Sequence, residues 1–337
     1  MKNTDTSPDA RLRSEPAPAT DLLASFFLSL PTVEQEGIRA LASAVAHRLY
    51  EWVGRFSEVL GSDAVSAIAL GVAAAEPKQA LEALFRTAQI SVWAFGVDDA
   101  IDERLTHLPE VDSLVETCKR IAVGVGPVGR DPLGMALAEI REALFPEAGG
   151  SVLKALWQRS VCGLLDGMRF EWQAGAEMAR GAPGPGLDAY LEHGLHSVGV
   201  PLHTATSWVV AERPASVEEA VALWPAVHQA ALAARLTNDL HSFAKERSGA
   251  QANARLLGLS VSQIGDRIAE HMKQCVALLG QALPGSEPTC QALHRMVRFI
   301  TTDLYGIAYC PVSHSPRSPG NVNGSATEKP PTSRKSD

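Results

Sequence analysis

Apolar residues recur at intervals of three and four along most of this chain. Over 33–60, Ile38, Leu41, Val45, Leu49, Trp52, Val53 and Phe56 form one stripe, the spacing that lines a single face of an α-helix. The same periodicity predicts helices over about 77–103, 130–145, 150–180, 186–211, 216–247, 258–283 and 287–309. Breaks fall at Pro77, at Gly149 and Gly150, across Gly181–Gly186, and at Pro284 and Gly285. No alternating pattern bounded by turn residues competes, and no linker or repeat divides the interior. The prediction is an all-α, single-domain protein of roughly ten helices over 21–310. The polar, proline-containing ends, 1–20 and 311–337, read as disordered tails.

Composition sharpens this picture. Hydrophobic residues make up 46% of the 337 residues and aromatic ones 6%, so the apolar content is helix-forming rather than β-branched or aromatic. A formal net charge of −8 argues against a nucleic-acid partner but not against one small anion neutralised locally by a metal ion. Five scattered cysteines without a C-x-x-C pair argue against a disulfide framework or zinc site and suggest free, mostly buried thiols. No signal-like apolar segment opens the chain, and no run approaches the ~20 apolar residues of a membrane span. The expectation is a soluble, cytoplasmic protein.

One helical stretch is interrupted. Between Tyr190 and Pro201 lie Gly194, Gly199 and the proline itself. A packing kink accounts for this, and the segment taken alone favours it. The alternative is a broken helix whose unpaired backbone groups face a cavity.

Two polar constellations carry candidate chemistry. In Asp98-Asp99-Ala-Ile-Asp102, helical spacing gathers the carboxylates on one face after an apolar run. Like charges so close repel unless a cation bridges them, and oxygen-only ligands suit Mg²⁺. A solvated acidic helix end is the plainer explanation. Farther on, Asn238, Ser242 and Glu246 are spaced i, i+4, i+8 on one helix face, a second hard-oxygen set, with Arg235 one turn earlier and Lys245 beside Glu246. Cations next to metal ligands make sense if the metals carry a diphosphate; an ordinary polar helix face is the alternative.

Together these segments resemble the class I terpene synthases. Asp98-Asp99-x-x-Asp102 is similar to their aspartate-rich motif, and Asn238-Asp-x-x-Ser242-x-x-x-Glu246 to their metal triad; 140 positions separate Asp98 from Asn238. The resemblance covers roughly 30–310. It implies the α-helical terpenoid synthase fold around a central apolar cavity, with three Mg²⁺ ions bridging the motifs to a prenyl diphosphate. Asp98, Asp99 and Asp102 would contribute from one side and Asn238, Ser242 and Glu246 from the other. Lys245 matches a position that contacts the diphosphate in bacterial members, and Arg235 an arginine common before the second motif. The interruption matches the family's kinked helix, with Ser197 and Val198 at its linker and effector positions.

Two departures stand out. Bacterial sesquiterpene synthases carry a diphosphate-sensing arginine where this chain has Gly194, and an Arg-Tyr pair where it has Ala308-Tyr309. The kink and the Arg235–His241 stretch look like bacterial labdane-related diterpene synthases such as ent-kaurene synthases. A copalyl-type diphosphate supplied by a separate class II cyclase is therefore the expected substrate, since no D-x-D-D motif for protonation-initiated cyclisation is present. Candidates for the cavity wall are Trp93, Phe95, Phe170, Trp172, His196 and Trp208, each also explicable as core. Farnesyl or geranylgeranyl diphosphate is the alternative substrate, and a non-catalytic prenyl-diphosphate binder the alternative role. A chain-elongating prenyltransferase fits poorly, because its second motif would also be aspartate-rich. A homodimer is left open.

Overall fold

The computed structural model describes residues 25–125, 131–146, 152–246 and 251–305. The expected tails, the Ala308-Tyr309 pair and Cys310 lie outside the described residues. Among the described residues the regular structure is helical throughout. In chain order the α-helices are α1 (Thr32–Arg55), α2 (Val65–Ala75), α3 (Leu81–Asp99), α4 (Leu108–Ala122), α5 (Pro132–Leu144), α6 (Val152–Ala179), α7 (Leu187–Ser197), α8 (Val200–Val210), α9 (Val217–Glu246), α10 (Val261–Leu279) and α11 (Glu287–Phe299). Short π-helical turns, Ala100–Arg104 and Ile300–Leu304, continue α3 and α11.

Local sequence explains most boundaries. The α1 stripe is buried at Ile38, Val45, Leu49, Trp52 and Val53. Asp131 caps α5 by accepting from the Gly134 N–H at 2.7 Å, with Pro132 at the first position where no donor is needed. Ser260 and Gln263 form a reciprocal capping box at the start of α10. Two helices fall outside the periodicity read from the sequence. Nearly every side chain of α2 is buried, so it has no polar face to generate a stripe. The helix α4 is amphipathic, and its signal is Pro109 beside a capping box of His107 and Glu110.

Two large hydrophobic cores and one small one organise the helices. The first joins α1–α6 through residues such as Trp52, Trp93, Leu137 and Trp157. The second surrounds α9, whose inner face is a run of alanines including Ala226, Ala230, Ala231, Ala233 and Ala234. Side chains this small let α7, α10 and α11 approach the α9 backbone. The third packs Phe26 and Phe27 against α1, α2 and Phe299. The four described cysteines are unpaired; Cys118 and Cys275 are buried, and burial pushes their thiols up to about 12 and about 11. No described helix is long and apolar enough to cross a membrane.

Candidate active site

The acidic end of α3 and the polar face of late α9 meet across one pocket of about 860 Å³. Asp98 and Asp102 form one wall, Asn238, Ser242 and Glu246 the other, and Ser197, Val198 and Gly199 the floor. Asp102 is aimed inward by the π-helical turn, a helix defect frequent at functional sites. Asp99 is turned away: it does not line the pocket, and its Oδ2 lies 3.7 Å from where a Gly61 side chain would begin. The side chain of Lys245 lies outside the described residues.

The interrupted helix is a true break. The α7 helix ends at Ser197 and α8 starts at Val200, with Gly199 between them at φ +79°, a left-handed conformation that favours glycine. The Ser197 hydroxyl donates to Glu171 Oε1 at 2.5 Å, tying the break to α6. Here α6 and α7 almost touch: a side chain at Gly167 would sit 2.7 Å from the His193 carbonyl oxygen.

Arg235 lines the pocket, yet its guanidinium is engaged by protein carboxylates. Nη1 donates to Glu171 at 3.1 and 3.0 Å, while Nε and Nη2 donate to Asp239 Oδ1 at 2.9 and 2.5 Å. Burial alone would lower its pKa; Asp239 and Glu171 outweigh that and hold it well above the usual arginine value. Asp239 is fully buried and also accepts from the Tyr190 hydroxyl at 2.8 Å and the Ala254 N–H at 3.2 Å. The Arg235 stem crosses Gly194 so closely that an added Cβ would lie 2.9 Å from Cδ and 3.0 Å from Cγ. No larger residue fits at 194 while Arg235 holds this position.

Residues beyond the sequence motifs line or support the pocket. Gln251 donates to Asp102 Oδ2 across the opening. Asn253 donates to Glu246 Oε2 at 2.5 Å and to the Asp239 carbonyl at 2.9 Å. Glu171, flanked by Phe170 and Trp172, carried a faint sequence signal as a lone acid in an aromatic stretch; Gln251 and Asn253 carried none.

A second cavity of about 620 Å³ adjoins the first, with Ala94, Phe95, Val198 and Gly199 bordering both. Its lining is apolar apart from Ser91 and His203. Of the aromatic wall candidates, Phe95 alone lines either cavity. Trp93 is buried with its indole N–H on the Leu133 carbonyl, and Trp172 packs on the first core. Phe170 stacks on His193, while His196 and Trp208 join an aromatic ladder with His228 and Trp224. Trp93 and Trp208 are buried core, while Phe170, Trp172 and His196 are half-buried and pack on neighbouring rings or on the core edge.

The pocket chemistry fits a hard divalent cation. Burial raises the carboxyls of Asp98, Glu171 and Glu246; for Asp98 the neighbouring Asp102, Glu171 and Asp99 raise it further. Buried acids crowded in this way lack positive charge. Among the described residues no three His, Cys, Asp or Glu side chains converge on one point. The oxygens are instead split between two walls, with room between them for an anion to complete the coordination.

The description of one protein family, terpene synthase family 2 with C-terminal metal binding, matches residues 89–275, more than half of the chain. The chain belongs to this family. The matched span contains both walls of the pocket, so this terpene synthase is a class I enzyme of the lyase/cyclase type that acts on a prenyl diphosphate with a bound metal. A curated relative, ent-pimara-9(11),15-diene synthase of Streptomyces sp. (strain KO-3988), is 25% identical over 268 residues, covering 79% of this chain and 90% of its own. Among solved structures, 2-methylisoborneol synthase from Streptomyces coelicolor A3(2), in complex with Mg²⁺ and 2-fluoroneryl diphosphate, aligns at a TM-score of 0.65 with 14% identity over 80% of this chain and 91% of that one. Hedycaryol synthase in complex with nerolidol aligns at 0.57 with 16% identity over 79% and 93%. These structures bear out the expected all-α class I fold.

Proposed function

We propose that this terpene synthase is a diterpene cyclase that ionises a copalyl-type diphosphate with the help of three Mg²⁺ ions. The observation carrying this reading is the adjacency of a pocket walled by Asp98, Asp102, Asn238, Ser242 and Glu246 to an almost wholly apolar chamber. A leaving anion and a hydrocarbon cation are thereby given separate surroundings. The diterpene synthase among its relatives and the absence of a D-x-D-D motif favour a substrate that is already bicyclic.

Bound Mg²⁺ would supply charge neutralisation of the diphosphate as it leaves. Asp98, Asp102, Asn238, Ser242 and Glu246 would hold the ions. Arg235, steadied by Glu171 and Asp239, presents a positive edge to the same pocket. The break at Ser197–Gly199 sets backbone polar groups at the junction of the cavities, where charge develops on the substrate. The chamber excludes water from the cation until the reaction ends.

Incubation with copalyl, geranylgeranyl and farnesyl diphosphates in Mg²⁺, followed by mass spectrometry of the hydrocarbon extract, tests the substrate. Copalyl diphosphate should be turned over fastest. Comparable efficiency on farnesyl diphosphate would replace this reading with a sesquiterpene cyclase, and diphosphate binding without turnover of any of the three would replace it with a non-catalytic binder.

A further inference from the structure

Ser91 and His203 are the two polar side chains in the lining of the apolar chamber. They come from different helices, α3 and α8, and meet at 2.9 Å between Ser91 Oγ and His203 Nδ1. Ser91 also lies 3.1 Å from the Thr87 carbonyl oxygen, one turn back on its own helix. A serine hydroxyl has a single proton. When that proton lies on the Thr87 carbonyl, Oγ can only accept, and in that arrangement Nδ1 carries the imidazole hydrogen and Nε2 a bare lone pair. Nε2 makes no hydrogen bond to a described residue, and it is not sealed within the packing as His196 Nδ1 and His228 Nε2 are. His203 follows Gly199 by about one helical turn, ~6 Å along the axis, and lines the apolar chamber but not the diphosphate pocket.

We propose that His203 is the base that ends the reaction, its Nε2 removing a proton from carbon next to the final cation, with Ser91 holding the ring in the required tautomer. The proposal rests on the cyclase reading above. In this step a C–H bond breaks and its electron pair closes the alkene. Nε2 takes the proton as imidazolium and passes it to solvent or to the released diphosphate when the product departs. Burial lowers the His203 pKa to about 4, so the ring is neutral near pH 7 and available as a base. An imidazole this weak is still ample for a carbocation, whose adjacent protons are far more acidic, and it sheds the proton readily afterwards. A group of ordinary basicity would be protonated part of the time and would set a fixed positive charge against the cation.

His203→Asn separates the base from the tie between helices, because the amide N–H₂ can still donate to Ser91 while the Nε2 lone pair is gone. With copalyl diphosphate and Mg²⁺, we expect H203N and the isosteric H203F to release pyrophosphate at a rate of the same order as wild type. The share of the native alkene should fall at least ~10-fold, replaced by isomeric alkenes or alcohols. Ser91→Ala, which leaves the lone pair in the chamber, should retain the native alkene as its main product. An unchanged product spectrum in H203N or H203F, or an equal shift in S91A, would show that the pair only ties α3 to α8 and overturn the proposal. Absence of pyrophosphate release by the wild type would instead refute the cyclase reading. Nitrogen NMR of ¹⁵N-histidine-labelled protein, assigned with H203N, gives a readout independent of turnover: Nε2 should be the unprotonated nitrogen, and a proton found there overturns the proposal.

Discussion

Asp98 and Asp102 stand where α3 runs out into a π-helical turn, half-buried, with Gln251 reaching Asp102 from across the pocket. Asn238, Ser242 and Glu246 stand on the last turns of a 30-residue helix, and directly behind them Asp239 gathers Arg235, Tyr190 and the Ala254 N–H. One wall is a helix end whose carboxylates are crowded by one another. The other is a rail braced by a buried ion network and by the buried Asn253, which ties Glu246 to the Asp239 carbonyl. The second wall is held by a buried ion network, and the helix end by contacts of the Arg104 side chain to the Glu58, Val59 and Gly96 carbonyls and by Gln251 on Asp102.

The largest expected effect removes what both walls share. Exhaustive chelation with EDTA should reduce turnover to background, and added Mg²⁺ should restore it; full activity without a divalent ion would show that the walls do not face a metal. Next, Asn238→Ala or Glu246→Ala should lower turnover at least ~100-fold, the scale seen when one electrostatic donor is lost. Thermal melting should stay close to wild type, because burial already works against the Glu246 charge. Wild-type turnover in either variant would reduce that wall to an ordinary polar helix face.

Arg235→Ala tests the brace. It leaves Asp239 and Glu171 buried without their cation, a change of ~3–5 kcal/mol that should lower the melting temperature by roughly 5–10 °C along with kcat. A large loss of kcat with unchanged melting would assign Arg235 wholly to the diphosphate; the reverse would assign it wholly to the fold. The smallest effect is expected from Gln251→Ala on the first wall. We expect a ~10-fold higher Mg²⁺ requirement and near-normal turnover at saturating metal, readable from a metal titration. A collapse of turnover at any Mg²⁺ concentration would mean that the first wall is braced as firmly as the second.

Much of this site was legible along the chain because helical spacing turns linear patterns into faces. Asp98 with Asp102, and Asn238 with Ser242 and Glu246, reach one pocket as their intervals predict, and the glycines near 194–199 coincide with a real break. Asp99 shows the limit of the rule: three residues from Asp102 on an ideal helix, it is separated from it here by a π turn that resets the angle. The aromatic wall candidates show another limit, since a large ring gains as much from a core as from a cavity. Gly194 changes meaning altogether. In the sequence it is a missing arginine; in the structure it is the clearance for the stem of Arg235, forty-one positions away.

The sequence by itself determined the helical class, most helix limits, the two oxygen-bearing faces and the family. Each of these depends on contacts within a few residues, where spacing and capping act directly. Only the tertiary structure decided that Arg235 is shared between Glu171 and Asp239, that Gln251 lines the pocket and Asn253 supports Glu246 from within the fold, and that an apolar chamber holding Ser91 and His203 lies beside it. Apart from Arg235 with Asp239, an i, i+4 pair on one helix, and Asn253 with Glu246, seven apart, those pairings bring together residues 64 to 149 positions apart, and their energies arise from burial. Burial depends on how whole helices pack, and no local pattern encodes it.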